Sequence, residues 1–177
     1  MTLQQYQSTP MTRLPQELIY GAIRAADAPF VHHQRVVFAI ARAWREHVSS
    51  RGLGEVLIAP TDVILDAERA LVVQPDALFV SRSRADIVRE RVYGAPDLVL
   101  EVLSPNPRIG QIDERIAWFA AYRVAEIWLY HQTQRRTTVL ECTNGAITNI
   151  ASFDLDAVIR SSVLPEFGRR MGAVLGE

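Results

Sequence analysis

Two carboxylates stand in apolar segments, where an unpaired charge is costly. Glu101 is the one polar residue of the run Leu-Val-Leu-Glu-Val-Leu over 98–103, and Asp76 follows Gln74 and Pro75 inside the apolar segment 71–80. A buried carboxylate needs a cationic partner, a shifted pKa or a bound cation, because desolvating an isolated charge costs several kcal/mol. Two apolar segments that each contain an acid therefore indicate a site rather than two isolated surface charges.

The elements around these acids decide whether they can act together. In a strand over 97–103, side chains alternate between two faces, and both faces are apolar, which predicts a central strand covered on both sides. Pro75 lacks a backbone N–H and marks a bulge or an edge beside Asp76. If the two strands are neighbours, the two carboxylates lie about 5 Å apart. Close carboxylates repel each other, and Mg²⁺ or Mn²⁺ would relieve this repulsion, because Mg²⁺ needs few protein ligands.

The remaining pattern predicts an α/β chain (an α+β mixed sheet) with helices on the faces of a central mixed β-sheet. A helix over 32–47 has one apolar face, and Asn144-Gly145 is a hairpin signal. The other predicted helices cover 84–91, 109–122 and 166–175. The other predicted strands or hairpins cover 17–23, 55–65, 71–80, 126–131, 136–142 and 147–153. We expect a single domain over 1–177, with 1–16 loosely held.

Composition narrows the class of protein. The chain has 177 residues, a net charge of −1 and one cysteine, Cys142, and all of its 19 Lys and Arg residues are arginine. One cysteine allows no internal disulfide and fits a reducing cytoplasm. We find no secretory signal and no apolar run long enough for a membrane span, so we expect a cytoplasmic protein without a membrane partner. Because the net charge is near zero, any binding of DNA depends on local clusters of arginine.

Three blocks carry a resemblance to a known family: Gln-Pro-Asp over 74–76, Gly-Ala-Pro-Asp-Leu-Val-Leu-Glu-Val-Leu-Ser-Pro over 94–105, and Val-Ala-Glu-Ile-Trp-Leu over 124–129. They resemble the Uma-type restriction endonuclease family of the PD-(D/E)XK nuclease superfamily. The resemblance implies a restriction-endonuclease-like core, Mg²⁺ dependence and hydrolysis of DNA phosphodiester bonds. It also implies that Asp76 and Glu101 bind the metal ion and that Glu17 is a further acid of the site.

The chain departs from this pattern at the catalytic lysine. The superfamily places a lysine two residues after the glutamate, where this chain has Leu103, and the family's lysine on the following helix corresponds to Arg115. Arginine supplies positive charge for the phosphate oxygens but stays protonated, so it cannot help to deprotonate water. We therefore expect weak or absent cleavage. Two neighbours complete the predicted site: Gln74, which could hold a water, and His33 at a helix start.

Two functions remain open. One is a Mg²⁺- or Mn²⁺-dependent endonuclease that acts on DNA, which we expect to be double-stranded, as a homodimer, because duplex DNA has two strands to cut. The alternative is a catalytically inactive nuclease-fold module that dimerises and binds partners. The missing lysine and the near-neutral charge favour the alternative, and the paired acids favour the enzyme.

Overall fold

The computed structural model describes residues 1–10, 14–25, 28–103 and 112–177. Within them lie four α-helices: α1 (Leu3–Gln7), α2 (Val31–Arg51), α3 (Ile112–Ala121) and α4 (Met171–Leu175). Eleven strands accompany them: β1 (Gln16–Ile19), β2 (Ala22–Ala25), β3 (Gly54–Ile58), β4 (Val63–Asp66), β5 (Leu71–Val73), β6 (Ala77–Ser81), β7 (Val92–Tyr93), β8 (Leu98–Leu103), β9 (Glu126–His131), β10 (Arg136–Thr143) and β11 (Ala146–Phe153). A short 3-10 helix covers Arg82–Ile87.

The strands form two mixed sheets. One is five-stranded with the order β2-β1-β5-β4-β7, and the other is six-stranded with the order β11-β10-β9-β8-β6-β3. Each has one parallel pair, β4 with β7 and β8 with β9, and its other pairs are antiparallel. The predicted mixed α/β class with flanking helices is confirmed, although the chain builds two sheets rather than one.

One long hairpin runs through both sheets. Its tip, β4 with β5, belongs to the five-stranded sheet, and its base, β3 with β6, belongs to the six-stranded sheet. The sequence predicted one strand over 55–65 and one over 71–80, with a bulge or an edge at Pro75. Each arm is instead divided into two strands near a proline, Pro60 or Pro75, so the break at Pro75 agrees with the prediction and the break near Pro60 was not predicted. Proline has no N–H to donate to a ladder, so the pairing is interrupted there. The break in the second arm places Asp76 at the junction of the two sheets.

The predicted central strand is β8, which lies between β6 and β9. Its residues Leu98, Leu100 and Val102 pack in the core with the buried face of α2. Val99 faces the other way and packs with Phe119 of α3. By the alternation of a strand, Glu101 shares the α3 side with Val99, so α3 can deliver a side chain to it.

Helix α2 forms where its pattern predicts. Its buried residues all lie on one face and include Val36, Val37, Ile40, Trp44 and Val48. It ends at Gly52, whose φ of 62° is left-handed, a conformation in which glycine carries no Cβ penalty. The helix therefore begins near His33 and carries that residue on its buried side.

Other elements differ from the sequence-based expectations at their ends. The segment 1–16, expected to be loosely held, contains α1, which has a capping box at Thr2 and a buried Tyr6. The expected helix over 166–175 starts only at α4, because Glu166 and Gly168 adopt left-handed φ of 61° and 43°. The start of the helix predicted over 109–122, and the serine and proline at 104–105, lie outside the described residues. Among the described helices, none combines the length and the apolar character that a membrane span needs.

Candidate active site

The two acids are brought together by the pairing of β6 with β8. Ala77 of β6 lies opposite Leu100 of β8 in an antiparallel register. Asp76 precedes Ala77 and Glu101 follows Leu100, so continuing the register places the two acids opposite each other. Glu101 is 9% exposed. The sequence-based expectation that Asp76 and Glu101 lie side by side therefore agrees with the register of the sheet.

Arg115 of α3 joins Glu101 to the predicted third acid. Its Nε and Nη2 donate to Glu101 Oε1 at 3.0 and 2.6 Å. Its Nη1 donates to both oxygens of Glu17 at 2.7 and 2.8 Å. All three side chains are nearly buried, with 6–12% of each side chain exposed. Glu17 belongs to strand β1 rather than to a helix, so it reaches the site from the five-stranded sheet.

Asp76 is held at both of its oxygens. His33 Nε2 lies 3.0 Å from Oδ1, and the backbone N–H of Val102 donates to Oδ2 at 2.7 Å. The ring can donate from Nε2 to Asp76, and its buried Nδ1 has no hydrogen-bond partner among the residues that the structure describes. His33 therefore fixes the rotamer of Asp76, which a carboxylate at the end of a strand would not keep alone.

Gln74 ties this cluster to a second one. Its backbone N–H donates to Glu17 Oε1 at 2.7 Å, and its Nε2 donates to Asp62 Oδ1 at 2.8 Å. Its own Oε1 is buried, and none of the described residues donates a hydrogen bond to it. The sequence suggested that Gln74 holds a water, and this role stays a prediction.

Sequence reasoning missed the residues around Asp62. Asp62 Oδ2 accepts from Arg91 Nε at 3.0 Å, and Asp62 Oδ1 accepts from Tyr6 O–H at 3.3 Å. Tyr6 O–H also lies 3.0 Å from the carbonyl of Gln16, next to Glu17. The one signal in the sequence was a polar residue, Asp62, inside a segment expected to be a strand. Through these contacts, Asp62 and Tyr6 hold Gln74 and the backbone next to Glu17 in place.

Burial and neighbouring charges oppose each other at Glu101. Burial is the largest effect and raises the pKa of Glu101 to about 8; Arg115 pulls this pKa down, and Asp76 pushes it up. Burial lowers the pKa of Arg115, but Glu101 and Glu17 outweigh it, so this pKa lies above its ordinary value. The guanidinium therefore stays charged, while a proton on Glu101 relieves its repulsion with Asp76.

The side chains of this site fit a divalent cation that needs few protein ligands. Three acids (Glu17, Asp76, Glu101) face one fixed cation, Arg115, which leaves an excess of two negative charges when all three are ionised. Glu101 Oε2 accepts no hydrogen bond from any described residue. Within the described ranges, no group of three or more His, Cys, Asp or Glu could hold a metal ion. Mg²⁺ or Mn²⁺ can bind to two carboxylates and complete its coordination with waters. The described residues do not form a site in which every ligand comes from the protein.

All six residues proposed from the sequence lie in this one place: Glu17, His33, Gln74, Asp76, Glu101 and Arg115. They come from β1, α2, the β5–β6 link, β8 and α3, so five separate parts of the chain contribute.

The fold matches a solved structure over nearly its whole length. That structure is described as "a putative nuclease belonging to DUF820 from Anabaena variabilis ATCC 29413", with a TM-score of 0.82. The match covers 99% of this chain and 98% of that chain at 17% sequence identity, so the likeness is one of fold. The chain thus has a nuclease-type mixed α/β fold with an acidic site at the junction of its two sheets.

The family follows from the sequence itself. The model of the Uma2 family, described as "Putative restriction endonuclease", matches residues 3–172, and the chain belongs to this family. The resemblance inferred from the three sequence blocks is confirmed. No curated protein matches the chain.

Proposed function

We propose that this protein is an endonuclease that hydrolyses phosphodiester bonds of DNA with the help of Mg²⁺ or Mn²⁺. Membership of the Uma2 family and the nuclease-type fold support a nuclease. The observation that carries the metal dependence is the pair Asp76 and Glu101, held side by side at the junction of the two sheets with net negative charge around them. A phosphate cannot approach two such carboxylates unless a cation intervenes.

Asp76 and Glu101 would hold the metal ion. Each oxygen of Asp76 has one described partner and a second lone pair to offer, and Glu101 offers Oε2. A bound divalent ion supplies Lewis acidity and lowers the pKa of a coordinated water. Gln74 Oε1, a buried acceptor without a partner in the described part of the chain, is suited to orient such a water.

Arg115 works in this site as a positioning residue. The sequence suggested that it neutralises charge on the phosphate, but its Nε, Nη1 and Nη2 all donate to Glu17 or Glu101, and the residue is 7% exposed. It holds Glu101 by one oxygen and leaves the other available. His33 acts in the same way on Asp76.

A second function is favoured by the same arginine. The ion pairs of Arg115 with Glu17 and Glu101 already satisfy much of the buried negative charge, so the site is stable without a metal ion. In that case the protein is an inactive nuclease-fold module that binds a partner. The chain has no lysine that could serve as a base in place of Arg115.

Cleavage of supercoiled plasmid DNA with Mg²⁺ or Mn²⁺ tests the enzyme directly. We expect slow nicking that is lost in Asp76→Ala and in Glu101→Ala. Glu55→Gln is the matched control, because Glu55 is an exposed acid of the edge strand β3. Nicking that survives in both alanine variants would show that it arises elsewhere and would reject the proposed site.

Arg115→Lys separates the enzyme from the inactive module. Lysine keeps a positive charge, is less bulky, and can lose its proton when buried. A gain of Mn²⁺-dependent nicking means that the rest of the site is intact. If the folded variant neither binds the metal ion nor nicks DNA, the binding module becomes the better reading.

The proposal includes two expectations about the setting of the protein. A two-fold dimer would present two sites to the two strands of a duplex. A cytoplasmic setting agrees with Cys142, a free thiol that is partly buried. Sedimentation of the purified protein with and without DNA tests the first.

A further inference from the structure

An exposed aromatic side chain stands beside the candidate site. Phe30 is 78% exposed, and it is the residue at the start of α2, where its carbonyl accepts from Gln34 N–H at 3.1 Å. It precedes by three residues His33, which contacts Asp76. Residues three apart in the first turn of a helix are neighbours in space. A large apolar ring is therefore exposed to solvent within one helical turn of His33, the residue that contacts Asp76.

A second exposed apolar group lies in the chain segment that pairs with the backbone of Asp76. Ile58 is 50% exposed, and the two residues after it, Ala59 and Pro60, are exposed too. The N–H of Ala59 donates to the backbone carbonyl of Asp76 at 3.0 Å. Asp76 thus contacts α2 through its side chain and the end of β3 through its backbone, and both neighbours expose apolar surface.

Helix α2 adds positive charge beside this apolar surface. The N-terminus of α2 has no side-chain cap, so its free N–H groups carry the positive end of the helix dipole. Arg35 follows in the second turn of the same helix. Within the described part of the chain, Arg35 makes no ion pair. An exposed ring on a helix that also carries Arg35 suits a ligand that has both flat apolar faces and negative charge.

We propose that Phe30 stacks on an unpaired base next to the scissile phosphate, so that the preferred substrate is single-stranded or unstacked DNA rather than an intact duplex. This inference rests on the proposed nuclease function and specifies its substrate. Aromatic side chains bind single strands by stacking on bases, whatever the base, while cations track the backbone. In an intact duplex the base faces are covered by their neighbours, so Phe30 has nothing to stack on without the cost of unstacking.

A second copy of the chain fits this surface less well. A two-fold contact centred on Phe30 would bring together the positive N-termini of two α2 helices and the Arg35 side chains of both copies. Like charges placed opposite each other disfavour such an interface. A single strand of DNA brings no second set of these cations, and the metal ion that Asp76 and Glu101 would hold offsets the repulsion between these acids and its phosphates.

The experiment measures binding of fluorescently labelled DNA by anisotropy, with Ca²⁺ in place of Mg²⁺ to limit cleavage. The probes are a short single strand and the duplex of the same sequence, and a 2-aminopurine in the single strand reports stacking. Phe30→Ala removes the ring, and Phe30→Trp restores a stacking surface. Phe38→Ala is the matched control, because Phe38 is a 64% exposed phenylalanine of the same helix, about 12 Å further along its axis.

We expect the wild type to prefer the single strand and to quench 2-aminopurine. Phe30→Ala should lose about tenfold in affinity for the single strand, the size of one lost stack, together with the quenching. Phe30→Trp should recover both, and Phe38→Ala should behave as the wild type. Unchanged binding and quenching in Phe30→Ala would overturn the inference and leave the nuclease proposal intact.

Two other outcomes also decide the matter. If the wild type neither binds nor cuts any DNA, the proposed function fails and this inference fails with it. Light scattering without DNA measures the molar mass of the assembly. If Phe30→Ala lowers this mass, the surface is a contact between copies of the chain, which rejects the stacking role.

Discussion

Arg115 holds Glu101 by a single oxygen. Nε and Nη2 of the arginine both donate to Oε1, at 3.0 and 2.6 Å, and Oε2 accepts from none of the described residues. The remaining Nη1 reaches Glu17, which is 98 residues away along the chain. One fixed cation thus orients two acids from two sheets and leaves one carboxylate oxygen available to a ligand.

Removing this cation should strongly destabilise the fold. Arg115→Ala leaves Glu17 and Glu101 buried without their partner, and we expect a loss of about 3–5 kcal/mol in the free energy of unfolding, measured with urea. Arg24→Ala is the control, because the Arg24–Glu114 pair is 40% and 47% exposed. It should cost about 0–1 kcal/mol. Equal losses in the two variants would contradict a buried structural role for Arg115.

Stability should fall as the pH rises, because of Glu101. In the folded protein, burial raises the pKa of Glu101 from 4.5 to about 8. Between these values the folded state binds more protons than the unfolded state, so the free energy of unfolding decreases as the pH rises through this window. The stabilisation is full below pH 4.5 and lost above about pH 8. Urea unfolding at several pH values should show this slope in the wild type and a flatter one in Glu101→Gln.

Divalent metal ions should raise the melting temperature. A ligand at 100 times its dissociation constant stabilises a protein by about 2.7 kcal/mol, which corresponds to several degrees for a chain of this size. Mn²⁺ should produce this rise in the wild type but not in Asp76→Ala or Glu101→Ala. A rise that persists in both variants would mean that the metal ion binds elsewhere, and no rise in the wild type would favour the inactive module.

His33 should control the affinity for the metal ion through Asp76. The two side chains are 3.0 Å apart, and losing a group that orients a metal ligand typically costs 10- to 100-fold in affinity. We expect His33→Ala to weaken Mn²⁺ binding by about this factor in titration calorimetry. His33→Gln, whose amide N–H can replace Nε2–H, should recover part of the loss. If alanine and glutamine bind equally well, His33 does not act by hydrogen bonding.

A buried acid far from the site should anchor the C-terminal segment. Glu126 is fully buried and accepts four hydrogen bonds, from Trp128 Nε1 and Ser161 Oγ at 2.6 Å and from Ser162 N and Oγ at 2.7 Å. Glu126→Ala leaves these donors unpaired, and we expect a loss of at least about 3 kcal/mol in the free energy of unfolding. Its cross-strand neighbour Glu141 is only partly buried, so Glu141→Ala is the control and should cost much less.

The sequence determined the identities of the acids and the strand that carries one of them. Glu101 in an apolar run predicts a buried central strand, because alternation is a local property of the chain. Asp76 after Pro75 predicts a break in pairing, because proline lacks an N–H whatever surrounds it. The helix start at His33 follows from the apolar face of α2 in the same way.

The tertiary structure decided how the acids are compensated. The sequence offered Arg115 as a phosphate contact, but the meeting of β1, β8 and α3 turns it into the partner of Glu17 and Glu101. The contacts of Asp62 with Gln74 and Arg91 were not predicted for the same reason. These pairs join residues that lie 12 to 98 positions apart in the chain. Which residues meet depends on how the long hairpin bends between the two sheets, and a local pattern of apolar and polar residues does not contain that information.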